Sequence, residues 1–337
     1  MHHVEPAADR AAARGPAAPR VGFDGPVTVR HRAHLVQTPV LALVLCLVWS
    51  SAFVFVKLAL RDASAPDVAG LRALAAVPPL FAALLLRDRA GLLTALRDRR
   101  VHLLGLTLGA VNVAGFLWLQ TEGFRFAGIG FGAVLIYAQP LLVAGLAGLV
   151  LGERLRPRQV LGLVAGWVGV GLTVLGGLTS PGAVTHVGRA TLLFLGAAVC
   201  FALGTVLVKA VTSRREAVPL PPALLLAFCY GSAPLLALGS GDGDPVRWTP
   251  LLAVCVVYTG AVSLAGGYLL QFALLERGDA GVVSSYIFAV PVLTAGYGVV
   301  LLGEPLSAGL VAGAAAVAAG ILLVTYPARP RVLAEPV

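Results

Sequence analysis

The 337-residue chain is 58% hydrophobic and only 12% charged, against about 25% charged residues in ordinary soluble domains. That is too little polar surface to cover a globule, so a large soluble helical protein is excluded. The net charge of +9 invites a nucleic-acid partner, but the arginines gather at the ends of apolar runs and not in a basic stripe, which is the pattern of membrane topology and excludes that partner.

Residues 1–37 are rich in Ala, Pro and Arg and lack an apolar h-region, so a disordered cytoplasmic tail is expected, not a signal peptide. Ten apolar runs follow, each long enough for a hydrocarbon core about 30 Å thick. They lie near 38–58, 67–86, 101–121, 127–151, 158–178, 189–210, 219–239, 250–274, 280–302 and 306–326. A Gly/Thr/Ser/Pro stretch around 179–188 joins two sets of five, and GSGDGDP (Gly239 to Pro245) reads as a turn. Residues 327–337 form a second tail. The four cysteines (Cys46, Cys200, Cys229, Cys255) sit inside apolar runs without CxxC spacing, so neither a metal site nor a disulfide framework is expected.

The fourth run and its flanks recur. Adding 151 carries Gln120 onto Gln271, Gly130 onto Gly281, Pro140 onto Pro291, Gly145 onto Gly296 and Gly152-Glu153 onto Gly303-Glu304. The register continues to Gly162 and Gly313, and to Gly169 and Gly320. So long a period describes two homologous halves, 38–178 and 189–326, and not a solenoid. With the N-terminus inside, nineteen of the 25 Lys and Arg fall in cytoplasmic segments and four (Arg61, Arg125, Arg189, Arg247) outside. That bias puts both termini in the cytoplasm of a bacterial inner membrane. Five spans per half reverse the second half, so the expected fold is an all-α integral membrane protein of ten helices in two inverted five-helix repeats, an architecture used for alternating access.

The layout resembles the EamA-type family of the drug/metabolite transporter superfamily. The resemblance rests on WSSAFVFVK (Trp49 to Lys57), LGERL (Leu151 to Leu155) and LGEPL (Leu302 to Leu306) and covers roughly 38–326. It implies a ten-helix carrier with a central cavity between the halves, for amino acids, metabolites or drugs. One departure stands out: Arg72 in the second span has no charged counterpart in the seventh.

The candidate site residues are polar or aromatic groups inside spans, where facing lipid is expensive. They are Trp49, Asn112, Trp118, Gln120, Tyr137, Gln139, Tyr268, Gln271, Ser284, Ser285 and Tyr286, each also explicable as an interhelical hydrogen-bonding or packing residue. The two lysines of the chain, Lys57 and Lys209, fall at nearly repeat-matched sites. Snorkelling to the interface accounts for Lys209; an anion contact or helix pairing competes with it for Lys57. Arg72 lies about 9 Å into its span at 1.5 Å per residue. It suits snorkelling, a pairing with Lys57's hairpin, or an ion pair with Glu122, the counter-ion nearest in depth. Pro140 and Pro291 are expected to kink their helices, and Glu153 and Glu304 to cap the helices that follow them.

GIGFG (Gly128 to Gly132) resembles a nucleotide loop only as a string, and no HExxH, GxSxG or Walker A motif occurs. The sequence therefore reads as a secondary transporter, not an enzyme, exporting a small polar or amphipathic metabolite, with no cofactor. Its expected partners are that small-molecule substrate, membrane lipid and a second copy of the chain as a homodimer. A membrane-embedded enzyme or sensor on the same bundle is the competing class.

Overall fold

The computed structural model of the chain describes residues 27–151, 156–179, 184–212, 218–241, 243, 245–277 and 289–325. The helices are α1 (Val27–Ala59), α2 (Ala65–Arg87), α3 (Arg89–Ala95), α4 (Arg99–Leu108), α5 (Phe116–Gly123), α6 (Ile129–Ile136), α7 (Gln139–Leu151), α8 (Pro157–Thr179), α9 (Val187–Thr212), α10 (Leu220–Gly241), α11 (Pro250–Val257), α12 (Gly267–Arg277), α13 (Ala289–Leu302) and α14 (Ala308–Thr325). Among the described residues there is no strand, only an isolated antiparallel bridge between Ala127 and Val184. Among the described residues, eight helical stretches are long and apolar enough to cross a membrane, from Pro39–Ala59 to Pro250–Leu274, and Ala289–Leu302 and Ala308–Val324 are shorter apolar helices. This is the helical form that an apolar chain must take where no water can satisfy its backbone.

Turn chemistry sets the helix starts. Asp67 N donates to Ser64 Oγ (3.4 Å) at the start of α2, and Leu252 N to Thr249 Oγ1 (3.1 Å) at the start of α11. Each helix has proline in its first turn, where no backbone donor is lost. The fourth span is broken: α6 ends at Ile136 and α7 begins at Gln139. Pro140 explains the break, because its ring clashes with the carbonyl four residues back, that of Ile136. Pro291 lies in the first turn of α13, and the segment before it is outside the described residues.

The third and eighth spans each contain a π-helical stretch, Gly109–Gly115 and Tyr258–Gly266. Adding 151 to the first gives 260–266, within the second. Such wide turns are frequent at functional sites. Gly109 and Gly260 let neighbours approach there. A Cβ on Gly109 would sit 2.9 Å from Ala227 O in α10, and one on Gly260 2.5 Å from Arg72 O in α2.

Helices α8 and α14 meet backbone to backbone. A Cβ on Gly162 would lie 2.6 Å from Gly320 O, and one on Gly169 2.7 Å from Gly313 O. As the residue number rises along one helix it falls along the other, so the two run antiparallel. Small-residue faces of this kind bring membrane helices together by close van der Waals packing.

Candidate functional site

An internal cavity of about 80 Å³ lies among the first, second, third, fourth, sixth and eighth spans, several times what one water needs. Its wall is mostly aromatic. Trp49 and Tyr268 meet edge-on at 6.4 Å, Phe53 and Tyr137 lie 6.3 Å apart, and Phe116 packs on Phe201 at 5.4 Å. Trp49 and Phe53 share one face of α1 by their four-residue spacing, and Val56 extends it.

The polar groups on this wall are few: Arg72, Gln120, Gln139, Ser263 and the two tyrosines. Arg72 is 5% exposed, and its Nη2 donates to Gln120 Oε1 at 3.3 Å. Its Nε and Nη1 are buried with no hydrogen-bond partner, as is Gln139 Oε1. Glu122 is not the counter-ion of Arg72. It accepts from Arg125 Nη1 (3.3 Å) and Arg189 Nη2 (3.4 Å) instead. The reason is helical geometry: two residues past Gln120, Glu122 points to the other side of α5.

Lys57 also stands apart from the cavity. Its ammonium donates to the backbone carbonyls of Phe124 and Ala127, to the latter at 2.8 Å. It therefore neither snorkels into solvent nor pairs with Arg72. It ties the end of α1 to the turn before α6, in a depression that Glu304 also lines. Phe124, fully buried, separates that depression from the cavity and packs on Phe53 (5.6 Å) and Phe194 (5.0 Å). An aromatic plug backed by a lysine thus closes this end.

Glu304 caps a helix, but not the one that follows it. Ser307 Oγ already accepts from Leu310 N (3.1 Å) at the start of α14. Gly303, at φ 66°, turns the chain back after α13. The Glu304 carboxylate then accepts from Ile129 N (2.8 Å) and Gly130 N (3.4 Å) at the start of α6. That helix begins with Gly128, which has no capping side chain of its own. Glycine at 128 and 298 leaves the space, since a Cβ at either would lie 2.5 Å from the carboxylate. Glu153 lies outside the described residues.

Of the residues singled out from sequence, Trp49, Gln120, Tyr137, Gln139 and Tyr268 meet at the cavity. Trp118 does not. It is 38% exposed on the outer face of its helix, because it is two residues from both Phe116 and Gln120, which point inward. Asn112 presses against Gly204 of α9, its Oδ1 buried without a partner. Gln271 is half-buried three residues beyond Tyr268, and Lys209 is exposed in the last turn of α9; neither lines the cavity. Ser284, Ser285 and Tyr286 lie outside the described residues. Arg72, Phe116, Phe201 and Ser263 belong to the wall without having been singled out as site residues. The unmatched arginine of the second span was the signal for Arg72, and a polar side chain inside a span was the signal for Ser263; for the two phenylalanines there was none.

A multi-pass bundle of apolar helices around an aromatic cavity with a few polar groups defines a membrane transporter. The chain belongs to the EamA-like transporter family, whose pattern matches residues 38–175 and 188–326, and thereby to the drug/metabolite transporter superfamily. It is 31% identical over 221 residues to the uncharacterized transporter YvbV of Bacillus subtilis, covering 65% of this chain and 70% of that protein. It is 28% identical to a protein of Salmonella typhimurium named as a probable amino-acid metabolite efflux pump, over 86% of this chain and 95% of that one. It is 27% identical to the aromatic amino acid exporter YddG of Ancylobacter novellus, over 62% and 74% of the two. A crystal structure at 21% identity superposes with a TM-score of 0.58, covering 86% of this chain and 96% of the other, and so shares the fold.

Proposed function

We propose that the protein is a secondary transporter of the inner membrane that exports a small polar or amphipathic metabolite by alternating access. The observation that carries this is the make-up of the cavity wall. Trp49, Arg72, Gln120 and Tyr137 come from the first half, and Phe201, Ser263 and Tyr268 from the second. A site built at the junction of two halves changes its exposure when the halves rock against each other.

In this reading ten spans form two inverted five-helix repeats, 38–178 and 189–326. Residues 179–188 link them, and residues 1–37 and 327–337 are cytoplasmic tails. The glycine contacts of α8 and α14 support it. Under the 151-residue offset the contact of Gly162 with Gly320 becomes that of Gly313 with Gly169, which also occurs. A contact pair that exchanges in this way between antiparallel helices is what an inverted repeat produces. The matched π stretches support it too. Cytoplasmic termini rest on the Lys and Arg bias, and place the plugged Lys57 end outside.

The aromatic wall and the names of two relatives, an amino-acid metabolite efflux pump and an aromatic amino acid exporter, favour amino acids with apolar side chains and their close metabolites as cargo. Counterflow in proteoliposomes tests this. Vesicles preloaded with unlabelled phenylalanine, tryptophan, leucine or the matching 2-oxo acids should accumulate the same labelled compound faster than protein-free vesicles. If none of the panel exchanges, the assignment of cargo fails.

A further inference from the structure

We infer that Arg72 is the anion-binding residue of the cavity and that the cargo is a carboxylate with a flat apolar body. The inference rests on the transporter reading above and specifies its cargo. The guanidinium is buried in the wall, where a charge is costly unless it is paired and hydrogen-bonded. Its one recorded partner is the neutral side chain of Gln120, and Nε and Nη1 have none.

The described acids near this end of the bundle are engaged elsewhere. Asp67 accepts from Ser64 Oγ (2.7 Å), Asp62 from Thr249 Oγ1 (2.7 Å), Glu122 from two arginines, and Glu304 from the start of α6. Among the described residues no acid lines the cavity, so the missing partner is supplied from outside the chain. A guanidinium offers parallel N–H groups that match the two oxygens of a carboxylate.

The site is held in place for that purpose. Gln120 Oε1 fixes one edge of the guanidinium, and Gly260 brings the eighth span against the Arg72 backbone. Beside the cation, Trp49 and Tyr268 offer ring faces and edges to an apolar body. The same charge repels ammonium groups, so an amine without a carboxylate is a poor cargo.

Thermal unfolding of the purified full chain tests this without any transport assay. The probes are 3-phenylpropionate, its amide and 2-phenylethylamine. The carboxylate is expected to raise the unfolding temperature in a concentration-dependent way, and the other two to leave it unchanged. Arg72→Gln should weaken the apparent affinity for 3-phenylpropionate by roughly tenfold to a hundredfold, the range for losing a charge-assisted hydrogen bond. Without ligand this variant should unfold no lower than the parent, because it removes an uncompensated buried charge. Gln120→Glu guards against a folding defect. It supplies an internal carboxylate to Arg72, so it should unfold higher and abolish the ligand response. The inference is overturned if 3-phenylpropionate has no effect on the parent, if the amine matches it, or if both variants respond like the parent. Counterflow of a neutral or cationic compound alone would leave the transporter reading standing and remove this one.

Discussion

The carboxylate of Glu304 lies 2.8 Å from the backbone nitrogen of Ile129, 175 positions away in the chain. A residue just past α13 thereby supplies the acceptor that Gly128 cannot give α6. It also puts negative charge at a helix N-terminus, where the dipole favours it. This bond joins the two halves at the plugged end, so it should stabilise the closed form there. Glu304→Ala is expected to cost about 1 kcal/mol, as for other lost caps, which is roughly a fivefold shift toward opening. In a background without Cys46, Cys200, Cys229 and Cys255, Ala52→Cys on the cavity wall should react faster with an impermeant thiol reagent added outside. Glu304→Gln, which keeps an acceptor, should fall between. An unchanged labelling rate would show that the cap does not hold this end closed.

Lys57 bears on the same closure. Its ammonium serves two carbonyls, of Phe124 and Ala127, in a space lined by Glu304. A planar guanidinium cannot reproduce this compact geometry. Lys57→Arg should therefore impair counterflow while leaving membrane insertion intact, and Lys57→Ala should impair it too. Lys209→Arg should be milder. Parent-like transport by both Lys57 variants would reduce this lysine to an interfacial anchor.

Much of this was readable in advance. The apolar runs announce helices because lipid leaves the backbone no other partner, and the 151-residue offset announces the matched glycines of α8 and α14. What could not be read was rotation about helix axes. Trp118 and Glu122 flank Gln120 by two residues, and sequence alone gives no sign which of the three points inward. Nor could Glu304 be assigned to α6, because that cap depends on the left-handed turn at Gly303 and on the space at Gly128 and Gly298. Periodicity fails here for a physical reason: a helix apolar all round carries no stripe to orient it.

The antiparallel glycine seam gives a prediction with its own control. A Cβ on Gly169 would lie 2.6 Å from Val317 N, whereas one on Gly171 meets nothing within 4 Å. Gly169→Ala should destabilise the protein by about 1–3 kcal/mol, as overpacking does. Gly171→Ala, two residues along the same helix, should be neutral or slightly stabilising through helix propensity. Thermal unfolding of the two variants in detergent reads the difference; similar transition temperatures would contradict the close approach.

Topology is tested at Ser240, exposed near the end of α10. In the cysteine-free background, Ser240→Cys should react with an impermeant maleimide on intact cells, and a cysteine at Gly91, between the second and third spans, should react only after lysis. Labelling of Gly91→Cys in intact cells, with Ser240→Cys silent, would invert the orientation drawn from the arginine bias.

The cavity wall yields the sharpest contrast, between tryptophans on opposite sides of the bundle wall. Trp49 faces the cavity edge-on to Tyr268, which is itself edge-on to Phe228 at 5.9 Å. Trp118 lies on the outer face, and Trp248 is exposed in the segment before α11. Burying cargo against an aromatic side chain is worth about 2 kcal/mol, so losing one wall ring should weaken cargo affinity by more than roughly tenfold. Trp49→Ala and Tyr268→Ala should therefore raise the half-saturating concentration in counterflow by at least about that factor, with the maximal rate less affected. Trp118→Ala and Trp248→Ala remove rings of the same class from outside the cavity and should stay within about twofold of the parent, too small a change for a lost ring contact. Matched expression and unfolding temperature separate this from general damage. If Trp118→Ala proves as harmful as Trp49→Ala under those controls, the cargo does not bind in this cavity.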